Sequence, residues 1–514
     1  MASPSHRRTL LSRRRRLGLA TGVVLVAGAL AVPAVNAATT EAATATPSTK
    51  RLHDDFNGDG YPDLAIGAPG TTVNTQSGAG SVSVLYGSAS GLSTSRKQVL
   101  KGPGVPDPEA WQGLYGGHLQ SADLDGDGYA DLLSSLKAYV MDLEDGYAVQ
   151  VNWGGPKGLS TTATRLAWAP QGSLAGGWTG QFTVADVDGD KHPDLVTLSN
   201  DNWMGESPET DNGDGTVFHG PFEHGGWPAR KSYFRINPEG YQNYEALTSG
   251  DVNGDGIADL AVQSTFVDES DSRGVELLLG GADGFTYKGL LKDAQGRRVG
   301  GEDVEIGDLN KDGYGDIVVG HSLDSYDSDV ELPTKGGALA VVHGGPAGVS
   351  TTRKPVWINQ DTAGVPGTGE RGDGMGSGLS IADTNGDGYL DVATGLPGED
   401  LGSITDAGAV LVLRGSANGL TATGVKTFTQ NTSAVPGTAE KGDRFGAETA
   451  LVDADGDKKA GLIVGDPAEN AGNGSVWVFS ATSGGITAGG SFSFGSATMG
   501  LPASGAKFGA SLAD

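Results

Sequence analysis

The segment Asp55-Phe-Asn57-Gly-Asp59-Gly-Tyr61-Pro-Asp63 is a nine-residue loop with an oxygen-bearing side chain at positions 1, 3, 5 and 9. Position 7 can add a backbone carbonyl oxygen. Hard oxygen donors on a flexible loop suit Ca²⁺, whereas Mg²⁺ demands stricter geometry and transition metals usually recruit His or Cys. Glycine at position 6 allows the positive φ that wraps a chain around an ion. The segment therefore predicts a calcium loop.

The same pattern recurs along the chain, so that seven loops are present. Their first aspartates are 57 to 75 residues apart, and a recurring period of this kind indicates a repeat architecture. Three or four carboxylates in one turn repel one another unless a cation or protons compensate, which favours metal loops over metal-free turns. The predicted ligand sets are Asp55, Asn57, Asp59, Tyr61 and Asp63; Asp123, Asp125, Asp127, Tyr129 and Asp131; Asp186, Asp188, Asp190, His192 and Asp194; Asp251, Asn253, Asp255, Ile257 and Asp259; Asp308, Asn310, Asp312, Tyr314 and Asp316; Asp383, Asn385, Asp387, Tyr389 and Asp391; and Asp453, Asp455 and Asp457.

The seven loops are not equivalent. The third has Lys191 at position 6, and the seventh has Lys458 there and Gly461 at position 9. A lysine at position 6 places a cation beside the ion and strains a turn that favours glycine. The sequence predicts six calcium sites, with the seventh weak or empty. An EF-hand, which opens with the same residues, is excluded because it needs a bidentate Glu at position 12, where the first two loops have Ile66 and Ser134.

The segments around the loops predict short strands. An alternating stretch such as 182–186 precedes a loop, an apolar stretch such as 316–320 follows it, and a second strand such as 409–415 ends in glycine. Four short antiparallel strands per unit, without helical periodicity, indicate a propeller blade. The last residues, 507–514, copy the segment 444–453 that precedes the seventh loop. We therefore expect an all-β, seven-bladed β-propeller closed by the C-terminal strand in the first blade.

The N-terminus predicts export. Residues 1–37 combine an Arg-rich start, an apolar run shorter than the roughly 20 residues of a membrane span, and a small-residue cleavage signal near Ala37. They are interpreted as a signal peptide of general-export or twin-arginine type. Residues 38–50 are interpreted as a flexible leader and 51–514 as the propeller. The chain has no cysteine, so disulfides cannot stabilise the secreted protein and bound metal is the expected substitute.

The net charge of the chain limits the classes of partner that it can bind. The formal net charge is −28, and removal of six signal arginines gives about −34 for the mature chain. Such a charge repels nucleic acid and anionic membranes. We expect a secreted monomer with no nucleic-acid partner and no membrane insertion of the mature chain.

Phe-Gly before a loop, as in Phe445-Gly446, and Gly-Ala-Pro after one, as in Gly67-Ala68-Pro69, complete the repeat unit. With the loops, these motifs resemble the FG-GAP repeats of the integrin α-subunit propeller and of secreted bacterial FG-GAP proteins, across essentially all of 51–514. The resemblance implies a seven-bladed propeller with calcium on one face and ligand recognition by loops on the other. The chain departs from the pattern at Gly395-Leu-Pro and Gly465-Asp-Pro, and integrins normally load fewer loops.

Three functions are consistent with the sequence. The preferred one is a secreted binding or adhesion module for an extracellular polysaccharide or cell-surface protein. The alternative is a carbohydrate-active enzyme, a polysaccharide lyase or glycosidase, although no catalytic motif is detectable; the third is a structural spacer without a ligand. Arg371-Gly372-Asp373 aligns with Lys441-Gly-Asp443 of the next repeat and is interpreted as a variant of the repeat. The acidic insertions 199–215 and 321–337, each with an aromatic residue, are candidate ligand loops.

Overall fold

The computed structural model describes residues 53–102, 111–113, 115–140, 143–168, 178–199, 214–225, 228, 230–237, 242–266, 273–324 and 335–513. The predicted signal peptide and leader lie outside the described residues. So do nearly all of the insertion 199–215 and the central part of the insertion 321–337. Among the described residues, no helix has the length and hydrophobicity needed to cross a membrane.

Short apolar runs, and stretches that alternate apolar with small polar residues, form 31 short strands in the described part of the chain. In chain order, the first half contains β1 (Leu64–Ala68), β2 (Ser81–Leu85), β3 (Lys97–Lys101), β4 (Trp111–Gly113), β5 (Leu119–Ala122), β6 (Asp131–Val140), β7 (Leu143–Asn152), β8 (Thr164–Trp168), β9 (Trp178–Ala185), β10 (Asp194–Ser199), β11 (Gly215–His219), β12 (Arg230–Phe234), β13 (Gln242–Gly250), β14 (Asp259–Phe266), β15 (Arg273–Leu279) and β16 (Thr286–Leu290). The second half contains β17 (Asp303–Gly307), β18 (Asp316–His321), β19 (Ala338–Val342), β20 (Gly344–Gly345), β21 (Gly348–Val349), β22 (Val356–Ile358), β23 (Ser377–Ala382), β24 (Asp391–Leu396), β25 (Ala409–Arg414), β26 (Thr421–Phe428), β27 (Glu448–Val452), β28 (Gly461–Asp466), the helical turn α1 (Glu469–Gly472), β29 (Ser475–Thr482), β30 (Gly485–Phe494) and β31 (Ser511–Ala513).

These strands form seven antiparallel sheets that follow one another as the blades of a propeller. All blades have four strands except the second, in which β4 and β5 both pair with β6. From the inner strand outward, the other blades are β31-β1-β2-β3, β9-β10-β11-β12, β13-β14-β15-β16, β17-β18-β19-β22, β23-β24-β25-β26 and β27-β28-β29-β30, with β20 and β21 forming a separate hairpin. The predicted seven-bladed β-propeller is confirmed.

The C-terminal strand closes the ring, as the sequence predicted. Strand β31 pairs antiparallel with β1 in the register Ala65↔Ala513, Ile66↔Leu512 and Gly67↔Ser511. The Ser511 hydroxyl also donates a 2.7 Å hydrogen bond to the carbonyl of Gly116 in the second blade. Pairing the two ends of the chain in one sheet removes edges that would otherwise remain open.

The hydrophobic core is divided among the blade interfaces. Seven clusters of buried side chains each combine residues of two neighbouring blades. The cluster between the last and first blades contains Val476, Phe494 and Ile66, so the closing interface is packed like the other six. A blade therefore buries its apolar faces only against its neighbours, as in other repeat folds.

The Phe-Gly and Gly-Ala-Pro motifs meet across a blade interface. Phe445 is fully buried, and Gly446 has φ of 94°, in the left-handed region that favours glycine. A Cβ atom on Gly395 of the preceding blade would collide with the carbonyl oxygen of Gly446. The glycine of one motif thus makes room for the glycine of the other, which explains why both belong to the repeat.

Candidate metal centres

Each predicted calcium loop after the first joins the inner strand of a blade to the next strand. The first loop lies directly before β1, because the inner strand of its blade, β31, comes from the other end of the chain. The loops are closed by their own side chains. In the first loop, Asp55 accepts hydrogen bonds from the backbone N–H groups of Gly58, Asp59 and Gly60 at 2.7, 3.1 and 2.7 Å. Asn57 accepts from Asp59 N–H at 2.9 Å, and Asp59 accepts from Tyr61 N–H at 3.1 Å. These bonds wrap the loop so that the side chains of positions 1, 3 and 5 face one another.

The aspartate at position 9 anchors the loop to the blade. Asp63 is fully buried, and its two oxygens accept N–H groups of Phe56 within the loop and Gly87 at the end of β2, at 3.0 and 2.8 Å. Asp131 makes the equivalent bonds to Leu124 and Gly154 at 2.9 and 2.7 Å. This residue therefore connects three parts of one blade whether or not an ion is bound.

Burial makes several of the position 9 carboxylates costly to ionise. Burial, together with repulsion from the other aspartates of the loop, raises the pKa of Asp63 and of Asp131 to about 8. The same two causes raise the pKa of Asp194 to about 7 and that of Asp259 to about 6. A bound cation would supply the missing counter-charge and favour the ionised form.

Several loops already gather the donors that a cation needs. The carboxylate oxygens of positions 1, 3 and 5 lie within 4.8 Å of one another in the second, third and seventh loops. In the fifth loop, which has asparagine at position 3, the Oδ1 atom of Asn310 is buried and has no hydrogen-bond partner among the described residues. An unsatisfied buried oxygen beside Asp308 and Asp312 fits a divalent cation of the calcium class. These residues would hold the ion, whose positive charge would neutralise the loop.

The third and seventh loops each contact a positively charged side chain that the sequence did not single out. In the third loop, the guanidinium of Arg230 on β12 lies 2.6 Å from Asp188 Oδ2 and 3.5 Å from Asp190 Oδ2. In the seventh, Lys459 Nζ lies 2.7 Å from Asp457 Oδ2. Lys191 and Lys458 do adopt the positive φ expected of position 6, at 72° and 67°. Lysine at position 6 therefore strains the backbone, while the nearby positive charge comes from other residues.

Two histidines from outside the loops also contact predicted ligands. His219, at the end of β11, places Nδ1 3.0 Å from Asp188 Oδ2 and 3.5 Å from Asp194 Oδ1. His224 places Nε2 2.7 Å from Asp125 Oδ2 in the second loop. Both histidines are more than 20 residues from the aspartates that they contact, so no local motif could have revealed them.

The loops contact one another around the propeller. The N–H of Ala130 in the second loop donates to the carbonyl of Asp55 in the first at 3.0 Å. Equivalent bonds join Ala258 to Asp186, Gly315 to Asp251, and Ala460 to Asp383, at 2.9, 2.8 and 2.8 Å. The residue at position 7 of a loop packs toward position 4 of the preceding loop. Tyr129 of the second loop lies beside Gly58 of the first. Tyr389 of the sixth loop lies beside Lys311 of the fifth, whose Nζ atom is 4.4 Å from the centre of the ring. The seven loops thus lie on one face and couple neighbouring blades.

The opposite face, at the far ends of the same strands, carries a pocket of about 390 Å³. It is lined by Arg371, Gly372, Asp324 and Arg444, together with neighbouring backbone. Neither arginine has an ion-pair partner among the described residues, and Asp324 Oδ2 accepts the N–H of Gly372 at 2.8 Å. The Arg371-Gly372-Asp373 segment lies in this wall, where Asp373 is buried rather than displayed.

A second cavity, of about 510 Å³, is lined by the inner strands of the blades and follows the propeller axis. Its acidic residues include Glu302, Asp303, Glu305 and Glu448, and His118 also lines it. Glu302 is paired with Arg273 at 3.1 Å, and Asp303 accepts the N–H of Leu379 at 2.7 Å. Burial lowers the pKa of His118, which is therefore neutral at pH 7. The described residues form no group of three metal-binding side chains in this cavity.

Comparison with known proteins agrees with this architecture. The sequence matches the FG-GAP repeat at residues 53–85 and 375–413, and the FG-GAP-like repeat at 123–197. It is 38% identical to human integrin alpha-6 over 120 residues, which is 23% of this chain and 9% of that protein. It is 31% identical to bovine phosphatidylinositol-glycan-specific phospholipase D over 145 residues, 28% of this chain and 17% of that protein. With human integrin alpha-11 it shares 31% identity over 158 residues, 30% of this chain and 12% of that protein. The matches thus span less than a fifth of each relative.

Proposed function

Because the chain is an FG-GAP repeat protein that folds as an integrin-like seven-bladed propeller, we propose that it is a secreted binding or adhesion module stabilised by calcium. Six loops hold divalent cations, calcium where every donor is an oxygen, and the loop at Asp453 is weak or empty. The signal peptide 1–37 directs export, and the propeller 51–514 acts as a monomer.

The difference between the two faces of the propeller supports this proposal. On the face that carries the seven loops, the position 9 aspartates hold the parts of a blade together, and the bonds between loops join neighbouring blades. The loops of that face therefore stabilise the scaffold. The opposite face has the 390 Å³ pocket, whose lining includes residues 322–324 at the start of the insertion 321–337. Loops on a rigid scaffold commonly carry binding.

The ligand of this face is an extracellular polysaccharide or a cell-surface protein. Arg371 and Arg444 both line the pocket in a chain of net charge −28. Two guanidinium groups without an ion-pair partner in the described part of the chain, in one concave site, favour carboxylate or sulfate groups, which arginine can bind through two parallel hydrogen bonds. An acidic polysaccharide therefore fits the pocket better than a neutral one.

The test is an array of glycans and cell-surface proteins probed with the full chain, with and without calcium. We expect a calcium-dependent signal on acidic glycans that is lost in the double variant Arg371→Glu/Arg444→Glu. The matched control is Arg353→Glu, which changes an arginine at a site distant from the pocket. Identical signals from the wild-type protein and the double variant would place the ligand elsewhere.

An enzyme remains the second candidate because phosphatidylinositol-glycan-specific phospholipase D is among the relatives and the axial cavity contains acids and a neutral histidine. A polysaccharide lyase or glycosidase would need one of these carboxylates as an acid or base. Any glycan that binds on the array should be incubated with the protein and checked for cleavage. Product formation that is lost in Glu448→Gln would support the enzyme and contradict the pure binding module.

A further inference from the structure

We propose that the third loop binds a transition-metal ion of the zinc class, through Asp188, Asp194 and His219, instead of calcium. The inference rests on the proposed function only in treating the third loop as a cation loop. It concerns neither the ligand of the opposite face nor the ions of the other loops.

The three donor atoms already have the spacing of a small metal site. The Nδ1 atom of His219 lies 3.0 Å from Asp188 Oδ2 and 3.5 Å from Asp194 Oδ1, and all three donor atoms lie within 4.8 Å of one another. Ligands about 2.0–2.1 Å from a tetrahedral Zn²⁺ are about 3.3 Å apart. Two of the three separations bracket this value and the third is at most 4.8 Å, so a modest adjustment of the ligands would seat the ion.

The histidine supplies an observation that is independent of the acidic cluster. His219 is only 8% exposed, and its Nδ1 atom, although 3.0 Å from Asp188 Oδ2, makes no hydrogen bond of good geometry with the described residues. Its other ring nitrogen, Nε2, lies 2.8 Å from the hydroxyl oxygen of Ser232. In the tautomer with the proton on Nε2 and donated to Ser232, the Nδ1 lone pair would be available to an ion held between the ring and the two carboxylates. Outer hydrogen bonds of this kind fix the ring of metal-binding histidines.

The types of donor atom decide which ion fits this site. A nitrogen donor disfavours calcium, which takes oxygen ligands, and suits zinc.

Other blades lack this combination. His219 directly precedes the glycine whose N–H donates to the position 9 aspartate. In four other blades the residue at this place is not histidine but Tyr86, Trp153, Leu279 or Arg414. The fifth blade has His343, whose Nδ1 lies 3.0 Å from Asp316 Oδ1. Its position 3 residue is Asn310 rather than aspartate, and among the described residues no group of three charged metal ligands includes His343. His343 is therefore the matched control.

Arg230 is the competitor for the site. Its guanidinium lies 2.6 Å from Asp188 Oδ2, the oxygen that would bind the metal, but the side chain is 59% exposed on β12. It can move into solvent when the ion enters. Removing the guanidinium should therefore strengthen metal binding, whereas it should weaken binding if Arg230 helped to build the site.

The experiment uses the full chain after removal of metals with a chelator and return to a large excess of Ca²⁺. Zn²⁺ is titrated calorimetrically, and Co²⁺ is added in parallel because a tetrahedral site gives it intense visible absorption. We expect one Zn²⁺ per chain that calcium does not displace. His219→Gln should weaken it by at least about 10-fold, His343→Gln should leave it unchanged, and Arg230→Ala should strengthen it several-fold.

Three results would overturn the inference: no zinc binding in excess calcium, equal zinc affinity in His219→Gln and wild type, or weaker affinity in Arg230→Ala. Melting curves in calcium verify that each variant folds. If His219→Gln does not fold, the direction of the Arg230→Ala effect decides alone. A failure of the ligand array leaves this result untouched, because zinc binding is measured without any ligand.

Discussion

Replacing Asp466 with asparagine should stabilise the protein at alkaline pH. Asp466 ends β28 and is fully buried. Its Oδ1 atom accepts the N–H groups of Ala468 and Glu469 at 3.1 and 2.7 Å, while Oδ2 has no hydrogen-bond partner among the described residues. The corresponding residues are Ala68 in the first blade and Leu396 in the sixth. Asparagine keeps the Oδ1 acceptor and removes the ionisable group.

The size of the effect follows from the pKa of this carboxyl. Burial, with smaller repulsion from Glu469 and Asp443, raises the pKa of Asp466 from 3.8 to about 8. The folded protein keeps the proton up to about pH 8, whereas the unfolded chain releases it near 3.8. The stability contributed by the protonated group is thus fully present below pH 3.8 and is lost as the pH rises to about 8. Each pH unit in this window costs about 1.4 kcal/mol, on the order of 5 kcal/mol in total.

The assay compares urea unfolding of the wild-type protein and Asp466→Asn at pH 5 and pH 8 in saturating calcium. The free-energy advantage of the variant should grow by about 4 kcal/mol between these pH values. Any change in calcium binding with pH cancels because both proteins have the same metal loops. Asp283→Asn, which removes one exposed carboxylate, is the charge-matched control. Parallel pH profiles for Asp466→Asn and wild type would refute the reasoning.

Three further predictions address the ring and its loops. Gly446→Ala should lower the free energy of unfolding in urea by about 2–4 kcal/mol, because its φ is 94° and the added Cβ meets the backbone of Ala409. The control Gly442→Ala, with φ of 81° and nothing within 4 Å of the added Cβ, should lower it by only about 1–2 kcal/mol. Equal losses would contradict the packing argument. Deleting 511–514 should lower the melting temperature and produce oligomers in size-exclusion chromatography, because the edge of β1 is exposed; an unchanged monomer would contradict closure. Asp127→Ala should remove one bound calcium per chain by atomic absorption, whereas Asp457→Ala should change the count little, and the reverse order would invalidate the ranking of the loops.

The fold could be predicted from the sequence because the loop ligands are adjacent in the chain. Asp55 to Asp63 are recognisable within nine residues, and their recurrence marks each blade. Residues 507–514 copy the segment that precedes a loop, and this copy predicted the pairing of β31 with β1, which is confirmed. Local spacing and repeat phase together are sufficient for architecture of this kind.

The site chemistry could be predicted only in part because its other members come from distant strands. His219 and Arg230 reach Asp188 through the pairing of β10, β11 and β12. Lys191 was expected to be the cation of the third loop, but the contact belongs to Arg230. The sequence shows Asp466 as a departure from the Gly-Ala-Pro motif. It does not show that the side chain is buried, because that depends on the packing of two blades. Sequence spacing predicts ligands within a loop and does not reveal the residues that the fold brings to it.

The central claim is that calcium in the loops of one face holds the propeller together. The most direct measurement is the melting temperature of the full chain after chelation and again after addition of calcium. Each site that binds only the folded state adds about 2.7 kcal/mol when free calcium is 100 times the dissociation constant. We predict a lower melting temperature in the chelator and a return to the original value with calcium. A melting curve unchanged by both treatments would contradict the claim.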